Sequence, residues 1–391
     1  MLLTNISVLY GKNLEYVKST SLQISNQVFA KPSSGKKDKI DCEGLLLVPG
    51  FVNAHTHIGD SVAKDVTLSG SVDSKIHPVL GAKKRILSRT VPAHLASFMK
   101  NTCHSMMKKG ITTFVDFREG GLDGVLLIKK VLAQVPIRGI ILGRVEYYQD
   151  VSQIKKNLPL PSIKKKELEL VLKNSDGIGI SGPNENSSSV LRYYSRMSKI
   201  RAIHSAETIE SSAKSHKITG KTETARALAA KPHFLVHMTY ATKPDLRAAA
   251  KKTRGIVICP RANASLAEGI PDFVSMEKNG CTVAIGTDNV MINSPDMFKE
   301  MDYIWKVQMG IHKKRIDPKQ VLKMATVNGG IILGRKIGSV EPGYLADGII
   351  LDKHAIDLEP IHNPHAAIVH RASESAIRAV MIGGKITHGR L

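Results

Sequence analysis

Alternating apolar and polar residues, the pattern of a half-buried strand, open the chain at residues 6–10 and 21–28. Residues 31–39 (KPSSGKKDK) read as a turn or hairpin tip, and 44–48 form a continuous apolar run ending in Pro49-Gly50. From Phe51 the rhythm changes. Short apolar runs suited to buried strands, at 51–55, 112–117, 137–145, 177–181, 200–204, 233–237, 255–259 and 282–286, alternate with helical stretches. Those helices are predicted at 93–109, 124–133, 163–173, 188–197, 221–230, 244–252, 271–279 and 295–304. Eight strands, each followed by a helix, predict an α/β fold: a closed, TIM-type (β/α)8 barrel. An open doubly wound sheet fits less well, because no Gly-rich nucleotide fingerprint follows the first strand.

Residues 317–333 read as one or two further helices, and strand character returns at 338–351 and 376–386. The two chain ends therefore share a character that the middle lacks. They are expected to pair into a small β-sandwich domain, 1–48 plus 337–391, beside a barrel spanning 49–336.

Composition narrows the class. At 42% hydrophobic and 23% charged residues over a 391-residue chain, wholesale disorder is excluded. No apolar run approaches the roughly 18 residues of a membrane span, and the amino terminus lacks a secretory pattern. Cys42, Cys103, Cys259 and Cys281 include no CxxC pair, which excludes a disulfide scaffold and a zinc ribbon and points to a reduced, cytoplasmic protein. The net charge of +22 raises the question of a polyanionic partner. The cations, however, are dispersed in short pieces, and 5% aromatic residues are too few for base-stacking platforms. No specific nucleic-acid partner is expected; a basic surface can still steer anionic substrates.

The candidate chemistry begins at Asn53-Ala-His55-Thr-His57. Strand alternation points His55 and His57 the same way, at the carboxyl end of the first barrel strand, where barrels carry their active sites. Two imidazoles so placed can chelate one divalent metal. His204, His237 and Asp288 fall at or just past the ends of later strands, and a barrel brings those ends together. Imidazole and carboxylate are the expected ligands of zinc or ferrous iron.

Pro49-Gly-Phe-Val-Asn-Ala-His-Thr-His57, His204-Ser-Ala-Glu207, His237, Gly286-Thr-Asp288 and Gly338-Ser-Val-Glu-Pro-Gly-Tyr-Leu-Ala-Asp347 together resemble the amidohydrolase superfamily. The similarity is to its branch of cytosine, guanine and S-adenosylhomocysteine deaminases and triazine hydrolases, and it covers essentially the whole chain. The resemblance implies His55, His57, His204 and Asp288 as metal ligands, and Glu207, His237 and Asp288 as catalytic groups. Two-metal branches use a carboxylated lysine at the end of the fourth strand. Here that strand reads Gly177-Ile-Gly-Ile-Ser-Gly-Pro183, with no lysine, so one divalent ion is expected: zinc, with iron or manganese as alternatives.

The implied reaction is attack of a metal-activated water on a ring carbon. Glu207 protonates the adjacent ring nitrogen, His237 stabilises developing charge, and Asp288 relays a proton to the leaving group. The expected substrate is a small nitrogen heterocycle: a purine, pyrimidine, pterin or nucleoside. Competing readings are release of chloride or an alkylamine from a triazine-like ring, and a non-catalytic protein of the same fold. Arg118 is the named candidate for a polar substrate contact, within a mouth that also includes Asp116, Glu119, Arg144, Glu146, Tyr147, Asn184, Glu185 and Asn186. Asn293, Ser294 and Asp296 are read as the loop after strand eight or as a helix cap. The long segment 59–89 suits a substrate loop, with His77 as a further candidate. His354, His362, His365 and His370 are assigned to structure. Relatives are often dimers or tetramers, so a homo-oligomer is an open expectation.

Overall fold

The computed structural model describes residues 1–31, 38–66 and 81–391; most of the expected 31–39 turn, and His77, lie outside them. Five strands open the chain: β1 (Leu2–Tyr10), β2 (Glu15–Ser25), β3 (Val28–Ala30), β4 (Lys39–Asp41) and β5 (Leu45–Pro49). Then come β6 (Phe51–His57), β7 (Ile111–Arg118), β8 (Arg138–Gly143), β9 (Gly177–Ile180) and β10 (Ile200–Ser205). They are followed by β11 (Phe234–His237), β12 (Ile256–Ile258), β13 (Val283–Ile285) and β14 (Asp288–Asn289). The last three are β15 (Gly348–Asp352), β16 (Ile377–Ile382) and β17 (Lys385–Gly389).

Strands β6 to β14 form one parallel sheet in the order β13-β12-β11-β10-β9-β8-β7-β6-β14. Every residue of β6 and β7 is buried, as a parallel sheet covered on both faces requires. Strands β13 and β14 are two halves of one barrel position. The first pairs with β12 and the second with β6, so the chain steps across the gap and the ring closes. Gly286-Thr287 makes the step, with the Gly286 N–H donating to Ile258 and the Thr287 N–H to His55. A Cβ on Gly286 would lie 2.6 Å from the His55 Cβ, so only glycine lets the two strands meet here.

The two ends of the chain build the second layer. Its eight strands run in the order β17-β16-β15-β5-β1-β2-β3, with β4 paired to β1. The ends join where β15 pairs antiparallel with β5, Gly348 opposite Pro49 through Asp352 opposite Leu45. Leu3, Ile6, Val8, Phe29, Leu47, Val340, Ile350 and Met381 belong to this sheet's own apolar core.

Local departures from expectation have local causes. Of the predicted strand 338–351 only 348–351 lies in a strand, β15; Gly338, at φ +72°, begins an irregular approach to it. The run 376–386 is split into a hairpin by Gly383-Gly384, both at positive φ, as a tight turn between strands demands. Helix Ile209–Thr219 was not expected, because its sequence IESSAKSHKIT has little apolar periodicity; a Thr208–Ser211 capping box starts it. Helix Pro364–His370 was also missed, and Asn363 caps it. Among the described residues no helix is long and apolar enough to cross a membrane.

Candidate metal centre and active site

The barrel's carboxyl end brings the expected residues together. His55 Nε2 lies 3.2 Å from Asp288 Oδ1, and His57 Nε2 lies 3.6 Å from the same oxygen. His57 Nδ1 is 2.8 Å from Glu119 Oε1 and 3.1 Å from the Phe117 carbonyl. His204 Nδ1 is 3.0 Å from the Ile180 carbonyl. With Nδ1 donating to these acceptors, the Nε2 lone pairs of both rings are left for a cation. Phe117 packs against His55 and His204 at ring-centroid distances of 4.4 and 5.0 Å.

Two overlapping donor groups result: His55, His57 and His204, and His55, His237 and Asp288, with donor atoms within 4.8 Å of one another in each. Among the described residues these are the clusters able to hold a metal. His55 Nδ1 is a buried atom with no hydrogen-bond partner among them. A converging set of imidazoles and one carboxylate, with an orphaned buried nitrogen, fits a divalent cation.

Charge in the site agrees. Burial lowers the pKa of His55, pulls His57 down to about 3 and takes His204 well below the ordinary range, so all three rings are neutral, the form able to ligate a cation. Burial pushes the Asp288 carboxyl up, but the hydrogen bond with His55 and the surrounding imidazoles outweigh it and keep the group ionised.

Glu207 follows Ala206, whose φ of +51° turns the chain out of β10. Its Oε1 stands 3.5 Å from His237 Nε2, and His237 Nδ1 is 3.2 Å from Asn263 Oδ1. His237 and Asp288 both hold left-handed backbone, at φ +69° and +60°. Such conformations cost about 1–3 kcal/mol each and concentrate where side-chain aim matters.

Above these groups lies a cavity of about 370 Å3, lined by His57, His204, Glu207, His237 and Asp288 among others. Of the mouth residues named from sequence, Arg144, Asn184 and Glu185 line it. Arg118 does not. It is buried beside Gly59, with Nη1 3.1 Å from Met99 Sδ and Nη2 3.3 Å from Glu119 Oε2. The arginine on the wall is Arg144, one strand further on. Asp296 acts as a cap, accepting from the Lys299 N–H, rather than as a lining residue. Asp116 accepts from the Ile58 N–H behind the site.

Sequence reasoning missed Lys83 and Asp60, and placed Glu119 only as a mouth residue. Lys83 Nζ lies 2.7 Å from Glu119 Oε1 and 3.2 Å from Asp60 Oδ2. No local pattern marks Lys83, which only the fold reveals as the one buried residue of helix Ala82–Arg89. Of the histidines assigned to structure, His365 Nε2 is bonded to the Leu14 carbonyl and His370 is stacked on Trp305. All four cysteines are free and buried, and burial lifts the Cys259 thiol well above its ordinary value, which disfavours a nucleophile.

A sequence profile described as the Amidohydrolase family matches residues 46–387. A protein of Methanothermobacter thermautotrophicus carrying the provisional name of aminohydrolase is 37% identical over 355 residues, covering 89% of this chain and 88% of its own. A 5-methylthioadenosine/S-adenosylhomocysteine deaminase of Thermococcus onnurineus is 27% identical over 99% of this chain and 93% of its own. The crystal structure of an adenosine deaminase from Xanthomonas campestris with bound zinc superposes with a TM-score of 0.82 at 21% identity, over 98% of this chain and 92% of that one. That likeness establishes the barrel and its flanking sheet as a shared fold.

Proposed function

The chain belongs to the amidohydrolase family, and from that premise we propose that it is a one-metal aminohydrolase that deaminates a small nitrogen heterocycle. The observation that carries this reading is the pairing of Glu207 Oε1 with His237 Nε2, 3.5 Å apart, beside a convergent His-and-Asp donor set. We assign the chemistry to a barrel of residues 49–336 and take 1–48 with 337–391 as the flanking domain.

His55, His57, His204 and Asp288 would hold the ion. A bound divalent cation supplies a water whose pKa is lowered from 15.7 towards about 7–9. The protein's own groups do the rest. Glu207 presents a carboxyl to the ring nitrogen beside the carbon under attack and donates the proton that lets that carbon become tetrahedral. His237, fixed by Asn263, faces the same space and stabilises charge there. The Asp288 carboxylate accepts a proton from the attacking water and returns it to the departing amine. The C–N bond breaks and ammonia leaves; the C=O bond forms as the second proton of the water passes to Glu207 and restores its carboxyl.

The absence of lysine from β9 supports a single ion. Lys83, though on the cavity wall, is already bound between Glu119 and Asp60. Relatives named as deaminases support ammonia as the product. The test is a screen of purines, pyrimidines, pterins and their nucleosides with Zn2+-loaded protein, reading ammonia. Turnover of at least one with stoichiometric ammonia is expected. Release of only chloride or alkylamine from triazine-like rings would replace this reading with the rival hydrolase.

A further inference from the structure

Helix Ala82–Arg89 carries five charged or polar side chains among its eight residues, yet the side chain it buries is a lysine, Lys83, 5% exposed. Burying an ammonium is costly unless it is paired and hydrogen-bonded. Lys83 has two carboxylate partners, and each leads to a different part of the metal-ligand set.

The first partner, Glu119, is 2.7 Å away through Oε1, and that same oxygen lies 2.8 Å from His57 Nδ1. Arg144 approaches the same oxygen only to 3.6 Å. The second partner, Asp60, is 3.2 Å away through Oδ2. Asp60 accepts from Asn289 Nδ2 at 2.6 Å and from the Met291 N–H at 3.1 Å, pinning the chain just past Asp288. One ammonium therefore lies between the carboxylate that orients one ligand and the carboxylate that anchors the segment carrying another. Without it, two buried carboxylates would converge with less positive charge between them, and Glu119 would lose the contact that fixes Oε1 behind His57.

We propose that Lys83 is a positioning residue for the metal centre, holding His57 through Glu119 and the segment after Asp288 through Asp60. This assignment rests on the one-metal reading above. It requires no contact between Lys83 and substrate. Partners that orient ligating histidines typically set metal affinity by 10–100-fold, and Lys83 stands one bond further out on the same chain of contacts.

The experiment is competition for Zn2+ against a chromophoric chelator, made on the full-length protein in wild-type, Lys83→Met, Glu119→Gln and double-variant forms, with circular dichroism confirming the fold of each metal-free form. Lys83→Met is expected to weaken Zn2+ binding about tenfold or more, and Lys83→Arg, which can still bridge two carboxylates, to recover most of that loss. In the Glu119→Gln background, adding Lys83→Met should cost clearly less affinity than it does in the wild type, because only the route through Asp60 is then left to lose. If Lys83→Met alone does not fold, that step is still read against Glu119→Gln, where a loss below about tenfold is expected. Unchanged affinity in folded Lys83→Met, or a loss in the Glu119→Gln background as large as that in the wild type, would overturn the assignment while leaving the one-metal reading intact. A wild-type protein that takes up no Zn2+ would overturn both.

Discussion

His55 Nε2 and Asp288 Oδ1 face each other at 3.2 Å across 233 residues of chain. The contact exists because the last barrel position is split: β13 pairs with β12, and β14, which begins at Asp288, pairs with β6, which carries His55. Closing the barrel is thus what brings these two candidate ligands together.

Gly286 is the residue that permits it. Alanine there would place a Cβ 2.6 Å from the His55 Cβ and 2.9 Å from its backbone. Gly286→Ala is expected to destabilise the fold by about 1–3 kcal/mol, the usual range for overpacking, and to weaken Zn2+ binding by displacing His55. Thermal unfolding of the metal-free protein and chelator competition measure the two effects. A variant with wild-type affinity would show that His55 does not depend on this approach.

Glu207→Gln should keep the metal and lose roughly 100- to 10,000-fold in turnover, the usual worth of a positioned general acid. Glutamine preserves the shape beside His237 but cannot deliver the proton. Metal analysis and ammonia release on the same sample decide it. Loss of the metal would make Glu207 a ligand instead.

Stability should depend on a proton away from the metal. Burial pushes the Glu300 carboxyl from 4.5 up to about 8, although Arg261, 3.4 Å away, pulls it down. The folded chain therefore retains a proton that the unfolded chain releases above about pH 4.5. The stability this confers is complete below that pH and is lost as pH rises through about 8, at about 1.4 kcal/mol per pH unit within the window. Urea midpoints of the metal-free protein should fall from pH 5 to pH 8, and Glu300→Gln should flatten the decline. An equal slope in the variant would assign the effect to other groups.

Much of this was readable from the chain, and the limits of the reading are physical. His55, His57, His204, His237 and Asp288 lie at or just past strand ends, where period and topology together fix direction, and the structure gathers them. Arg118 also ends a strand, but its long side chain leaves the mouth to pack under Gly59, a choice made by neighbouring volume that no pattern records. Asp60 lies in the short helical turn Ile58–Ala63 and Lys83 in helix Ala82–Arg89, and their meeting with Glu119 is a tertiary contact that no local pattern records. Helix Ile209–Thr219 was invisible because capping, not an apolar stripe, defines it.

One cation is expected to join these distant side chains. Metal analysis of the purified protein, repeated after Zn2+ loading and desalting, tests it most directly, with His204→Ala as the control. The expected result is about one divalent ion per chain in the wild type and a large loss in the variant. Two tightly held ions per chain, or a chain that retains none after loading, would contradict it.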